Sequence, residues 1–456
     1  MKTRIQTCLA AALCLLAPIG AQAEPLAGET SIEFEASSGE TTDAYRGNFD
    51  VPENRSDPDS RILRLEYVRF PATGAEAGPP IIYLAGGPGG SGIGTAEGRR
   101  FPLFMAMREF GDVIALDQRG TGASNDVETC ESSEYDPDDT FLSDADYLAR
   151  EVRALEACMA VWRSQGIDPA GYNTRENVAD LDALREHLGA EKVTLWGISY
   201  GSHLAFAALN QIENRIDRIV MASAEGLDQT IKLPARTDDY FARFGASIDH
   251  SDLPGLIRNV HAQLEETPVM LELSNRSGDT FEFLLQRRDM QRIASAMISD
   301  PERAMMLVGM YEALHEGNTA PVAQLLSRFV RPGEPISYSL MSVAMDIASG
   351  TSPARRALIE AQAQTSLLGS NLNQPAAFED AASDLVMDET FRRDPVSAVP
   401  VLLLSGTLDG RTYLESQTEA VSGLSNLEHM VVEGAGHNLF MFSPEVTERI
   451  QDFMRQ

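Results

Sequence analysis

Positive charge is scarce in this chain. Its 456 residues carry 37 lysines and arginines against 68 aspartates and glutamates, a formal net charge of −31. A surface this acidic repels nucleic acid and anionic membranes, so neither is expected as a partner. Solubility is the plain reason for the excess, and attraction of cationic peptides is a second consequence. There are only seven histidines, and no His, Cys, Asp and Glu residues cluster at metal-ligand spacing, so no metal is expected. No glycine-rich loop runs into Lys-Ser or Lys-Thr, as a phosphate-cradling loop would. No basic aromatic surface, internal repeat or low-complexity segment occurs, and no cofactor is expected.

Long apolar runs are also missing beyond the first residues. Lys2 and Arg4 precede the run from Cys8 to Ile19, and Ala21-Gln22-Ala23 follows. A basic start, an apolar stretch too short to span a bilayer and a small-x-small end make a secretory leader, so residues 1–23 are expected to be removed on export to a periplasm or the medium. No integral membrane segment is expected afterwards. Of four cysteines, that leaves Cys130 and Cys158, which in an oxidising compartment are expected to form a disulfide.

What the chain does have is an alternation of strands and helices. Residues 31–36 and 61–70 alternate apolar with polar, as antiparallel edge strands do. Residues 80–85 and 113–116 are continuous apolar runs, expected as central strands buried on both faces. Helices are expected at about 99–108, 144–165 and 177–188. The apolar run 192–196 then leads into a helix, and 216–222 reads as another strand. From Leu227 to Arg393 the pattern turns mainly helical and rich in methionine, including Met290, Met297, Met305, Met306, Met310, Met341 and Met345. Such thioethers fill a core or an adaptable pocket wall. Strands resume at 399–404 and 427–432, and a helix closes the chain at 444–454. The expected architecture is α/β: a mostly parallel central sheet with helices on both faces (24–226 and 394–456), interrupted by an inserted, mainly helical cap (227–393).

Gly197-Ile198-Ser199-Tyr200-Gly201 sits at the corner between the strand at 192–196 and its helix. A serine on such a corner is exposed as a nucleophile, provided the residues two before and two after it are small. A base must follow late in the chain. His429 lies within a strand, where a structural role is expected, whereas His437 follows that strand in Glu433-Gly434-Ala435-Gly436-His437. An orienting acid should end an earlier strand. Asp409 does so after 402–408, and Glu225, just past 219–222, is the competing candidate. Gly86-Gly87-Pro88-Gly89-Gly90-Ser91-Gly92 can bring backbone N–H groups close to a developing oxyanion. The Gly87 N–H and that of Tyr200 are assigned to this role. Asp117-Gln118-Arg119-Gly120-Thr121-Gly122 is expected to brace the loop beneath the site by hydrogen bonds.

Three rival readings remain. Gly87, Gly89 and Gly92, with Asp117 ending the next strand, also fit a dinucleotide-binding fingerprint and hence an oxidoreductase. That reading leaves Ser199, Asp409 and His437 without a role. A carboxylesterase could use the same triad, because the cap rather than the triad selects the substrate. A catalytically dead binding module is the third, and the intact order Ser, Asp, His argues against it.

The glycine loop, the Asp117–Gly122 segment, Gly197–Gly201, Gly406-Thr407-Leu408-Asp409 and Gly436-His437 together resemble the prolyl-aminopeptidase-like α/β-hydrolases. The nearest resemblance is to the exported tripeptidyl-aminopeptidase group, in which Cys130 and Cys158 stand where a cysteine pair is placed. The resemblance implies the α/β-hydrolase fold and a serine exopeptidase that releases residues from the free N-termini of short peptides, often next to proline, of proline or tripeptidyl type. No cofactor is implied. Ala85 departs from the histidine usual before Gly-Gly-Pro-Gly in prolyl aminopeptidases. A substrate ammonium needs a carboxylate partner, since an unpaired buried charge is costly. Glu225 is the first candidate, followed by Asp238 and Asp239. The number of residues released and the oligomeric state stay open.

Overall fold

The computed structural model describes residues 24–125, 127–275, 278–373 and 376–456. The expected leader, 1–23, lies outside them. Three strands open the fold: β1 (Thr30–Glu35), β2 (Thr41–Pro52) and β3 (Ile62–Phe70). They pair antiparallel, and β3 continues antiparallel onto the strand at Val113–Leu116. β4 (Ile81–Leu84), β5 (Val113–Leu116), β7 (Val193–Ile198), β8 (Ile216–Ala222), β12 (Val401–Gly406) and β13 (Leu427–Val432) form the parallel part. The full sheet runs β1-β2-β3-β5-β4-β7-β8-β12-β13. The twelve-residue β2 was not expected. Its inward residues are Ala44, Gly47, Phe49 and Val51, too few large apolar groups to announce a strand.

Every residue of β4, β5, β7 and β12 is buried, because helices cover both faces. Alternation along β7 divides its side chains between two cores. Val193 and Leu195 join one face, Trp196 and Ile198 the other. The first face is covered by α3 (Asp144–Ser164), α4 (Thr174–His187) and α5 (Tyr200–Ile212). The second is covered by α1 (Gly92–Glu97), α2 (Phe101–Met107) and α15 (Pro444–Met454).

Between β8 and β12 lie α6 (Pro234–Ser247), α7 (Leu253–Glu266), α8 (Arg287–Met297), α9 (Pro301–His315), α10 (Ala320–Phe329), α11 (Leu340–Ser349), α12 (Pro353–Ala363) and α13 (Ala376–Ala381). The segment also holds a hairpin, β9 (Val269–Ser274) with β10 (Thr280–Leu285), an exception to its expected mainly helical character. α6 to α10 enclose a core of their own, with Tyr240, Phe244 and Leu307 buried. α11 instead packs into the core beneath the sheet. The short β11 (Ser337–Tyr338) just before it pairs with β6 (Cys130–Glu131). Cys130 is disulfide-bonded to Cys158 of α3, with an S–S distance of 2.06 Å. Outside the cap, α14 (Leu414–Ala420) follows β12. Met290, Met297, Met310, Met341 and Met345 are buried, Met305 and Met306 are exposed, and none of the seven lines the cavity described below. Among the described residues no helix is long and apolar enough to cross a membrane.

Candidate active site

β7 ends in the corner that the sequence anticipates. Ser199 has φ 56° and ψ −127°, in the left-handed half of backbone space that only surrounding structure can impose on a non-glycine residue. Its N–H donates to Ala222 O across the sheet at 3.1 Å, and its carbonyl accepts from the Ser202 N–H at 2.8 Å and the Ser202 hydroxyl at 2.5 Å. Close approach explains the flanking glycine. A Cβ on Gly201 would stand 2.1 Å from Leu84 O.

Asp409 lies past the end of β12 and is buried. Its Oδ1 accepts the Arg411 and Thr412 N–H groups at 2.8 and 2.9 Å, and its Oδ2 accepts the Thr412 hydroxyl at 2.7 Å. His437 Nδ1 stands 3.0 Å from both carboxylate oxygens. Burial alone would push the Asp409 carboxyl up. The His437 charge, its hydrogen bond and the Thr412 donors outweigh burial and hold it down at about 2. The loop bearing His437 is fixed from two sides. Its N–H donates to Ser299 O at 2.9 Å, and its carbonyl accepts the Ser223 hydroxyl at 2.8 Å.

Ser199 and His437 line one cavity of about 400 Å³. Gly86, Gly87 and Gly90 form another part of its wall. A Cβ on Gly86 would lie 3.2 Å from the Ser199 Cβ, so the glycine loop reaches the serine only because it lacks side chains. Gly87 has φ 130°, and Tyr200 is the first residue of α5, where an N–H has no acceptor within the helix. Asp117 braces this loop as expected. It accepts Ser91 Oγ (2.6 Å), the Ile93 N–H (3.0 Å) and the Ala123 N–H (2.8 Å). A carboxylate so occupied is not free for a ribose hydroxyl, which removes the dinucleotide fingerprint's acidic partner. Gln118 Nε2 reaches Ala85 O at 3.3 Å. Arg119 is wholly buried and ties Asp180 and Gly171 O. His429 accepts or donates at Ser405 Oγ, 2.8 Å away within the sheet, a structural contact.

Glu225 does not contact His437. Its Oε2 pairs with Lys232 Nζ at 2.5 Å, both side chains nearly buried, so the competing acid is committed to a lysine. That pairing also corrects its expected place as a free ammonium partner, although it still lines the cavity. The expectation for Asp238 and Asp239 is corrected too, as neither lines the cavity. Asp238 Oδ1 accepts the Leu367 N–H at 2.9 Å, and Asp239 is exposed.

Asp346, on α11, lines the cavity instead. Burial and the neighbouring Glu225 charge push its carboxyl up to about 7, against the pull of Lys232 and Arg411. Nothing in the sequence singled it out, because it sits in a cap helix far from every motif. Arg100, Lys232 and Arg411 bring cations to the same walls, and Arg100 bonds Tyr83 and Asn438. Thr412 also went unremarked, though its place three residues after Asp409 is where a hydroxyl turns back onto an aspartate.

A model of the alpha/beta hydrolase fold matches residues 79–266, and one described as TAP-like protein matches residues 385–456. Serine protease Hip1 of Mycobacterium tuberculosis is 32% identical over 190 residues, 40% of this chain and 36% of that protein. Tripeptidyl aminopeptidase of Streptomyces coelicolor is 26% identical over 219 residues, 42% of this chain and 39% of that enzyme. The matches thus span well under half the length of these relatives.

Proposed function

This chain belongs to the α/β-hydrolase fold family, and on that premise we propose that it is a serine peptidase acting on short peptides through an acyl-enzyme at Ser199. The observation that carries the reading is the buried Asp409 carboxylate held 3.0 Å from His437 Nδ1, with His437 and Ser199 lining one cavity. In this mechanism Asp409 fixes the imidazole with Nε2 as the base. His437 takes the Ser199 hydroxyl proton as Oγ attacks the scissile carbonyl. The Gly87 and Tyr200 N–H groups receive the oxyanion. The tetrahedral intermediate then collapses, and the imidazolium gives its proton to the departing amine. Water repeats the sequence on the acyl-serine and regenerates the enzyme.

Attack from the free N-terminus is the finer part of the proposal. Asp346 gives the cavity a carboxylate that can face a substrate ammonium, and the Streptomyces coelicolor relative carries an aminopeptidase name. The export route, with the segment 1–23 as leader, belongs to the same proposal. The test compares alanyl arylamide, its N-acetyl counterpart and short acyl esters on wild type, Ser199→Ala and Asp409→Asn. Free arylamide should be preferred. Ser199→Ala should lose activity by about 10⁶-fold and Asp409→Asn by about 10⁴-fold in kcat. Preference for esters or blocked amides would replace the aminopeptidase with the carboxylesterase.

A further inference from the structure

The catalytic cavity differs in charge from the chain around it. The sequence carries a net charge of −31, yet the charged side chains lining the cavity are Arg100, Lys232 and Arg411 against Glu225 and Asp346. Lys232 and Glu225 neutralise each other at 2.5 Å, and Asp346 keeps a proton up to about 7. Two guanidiniums are left over. Among the described residues, Arg411 donates from its side chain to Ser295 O at 3.2 Å. Arg100 donates to the Tyr83 hydroxyl and to Asn438 Oδ1. None of these acceptors is charged.

The two cations belong to different parts of the wall. Arg411 shares a small recess with Glu225 and Lys232 and pulls on the Asp346 carboxyl. Arg100 immediately precedes α2 and reaches Asn438, the residue after His437. The Tyr83 and Phe440 ring centroids lie 5.9 and 5.6 Å from its Cζ, so rings and hydrogen bonds together fix its plane. The guanidinium N–H groups not spent on Tyr83 and Asn438 have no partner among the described residues. A half-buried, oriented fork without a counter-charge is prepared for a planar anion, and a carboxylate fits it edge to edge.

The side of the substrate that meets Arg100 follows from the mechanism. His437 hands its proton to the departing group, so that group lies against the His437 loop. Arg100 is tied to this loop, whereas Asp346 stands on the cap helix α11. We infer that Arg100 receives a carboxylate on the leaving residue of the substrate, making the enzyme selective for an anionic group just after the scissile bond. That carboxylate is either the α-carboxylate of a final residue or, one bond further from the leaving nitrogen, an acidic side chain. The inference rests on the proposed acyl-enzyme mechanism, and on the peptidase reading for the nature of the leaving group.

The test is a set of kcat/KM ratios between substrates that differ only in the leaving carboxylate. One pair is alanyl-alanine and its amide, and the other is the α-amides of alanyl-aspartate and alanyl-asparagine. In wild type the acidic member of at least one pair should be favoured roughly tenfold or more. The pair that shows the preference identifies the source of the carboxylate. Arg100→Met should bring that ratio to within about twofold of parity, and Arg100→Lys, which keeps the charge without the fork, should lower it about threefold or more. No preference in wild type overturns the inference whatever the variants do. A preference that survives in either folded variant also overturns it, as does an equal loss on both members of a pair, which would leave Arg100 with a role in holding the His437 loop alone. O-acetyl-lactate and O-acetyl-lactamide form a third pair. If wild type hydrolyses only these esters, the peptidase reading falls, and their ratio decides the inference by the same criteria.

Discussion

Asp346 shows at the scale of one residue how a site can work against stability. Its carboxyl keeps a proton up to about 7 in the folded protein, against an ordinary 3.8. Between those values the folded chain binds more protons than the unfolded one, so stability falls as pH rises through the interval. Asp346→Asn removes that loss. The variant should be more stable than wild type by roughly 1–2 kcal/mol at pH 8, discounted for its open cavity. The difference should vanish near pH 4, and urea melts at the two values would reveal it. Equal stabilisation at both pH values would mean that ionisation is not the cause. Ser199, Asp409 and His437 could be picked out from the sequence because each follows a strand signal. Asp346 could not, because it sits in a cap helix far from every motif.

Among the elements, the two-residue pair β6–β11 has consequences beyond its size. Tyr338 pairs with Cys130, Cys130 is bonded to Cys158 on α3, and α11 with Asp346 begins two residues after Tyr338. The disulfide therefore anchors the start of the helix that supplies a cavity wall. A bridge across 28 residues is worth about 3–4 kcal/mol by its effect on the unfolded chain. Cys130→Ser with Cys158→Ser should lose about that much in denaturant melts. It should also raise KM for alanyl arylamide more than it lowers kcat, since Ser199, Asp409 and His437 hang from other elements. A kcat loss with KM unchanged would contradict this link. Pairing of the two cysteines was legible from composition, but β11 was not, because two residues carry no periodicity. β2 was missed for a related reason, since its polar residues and Gly47 blur the strand pattern.

For the whole molecule, the excess of acid sets a long-range field. With 68 acidic and 37 basic residues, cationic peptides should be drawn in, and salt should weaken the attraction. For a lysine-bearing arylamide, kcat/KM should fall roughly threefold or more between about 0.01 M and about 1 M salt, while a neutral one changes little. Parallel behaviour of the two substrates would show that the net charge does not steer them. The α/β framework, the buried central strands and the order of Ser199, Asp409 and His437 along the chain were legible in the sequence alone. Those follow from local periodicity and from the stereochemistry of strand-to-helix corners. The pairing of Glu225 with Lys232 and the place of Asp346 on the cavity wall emerged only in three dimensions. Whether a carboxylate is paired or open depends on groups brought together from distant parts of the chain, and no spacing along it records that meeting.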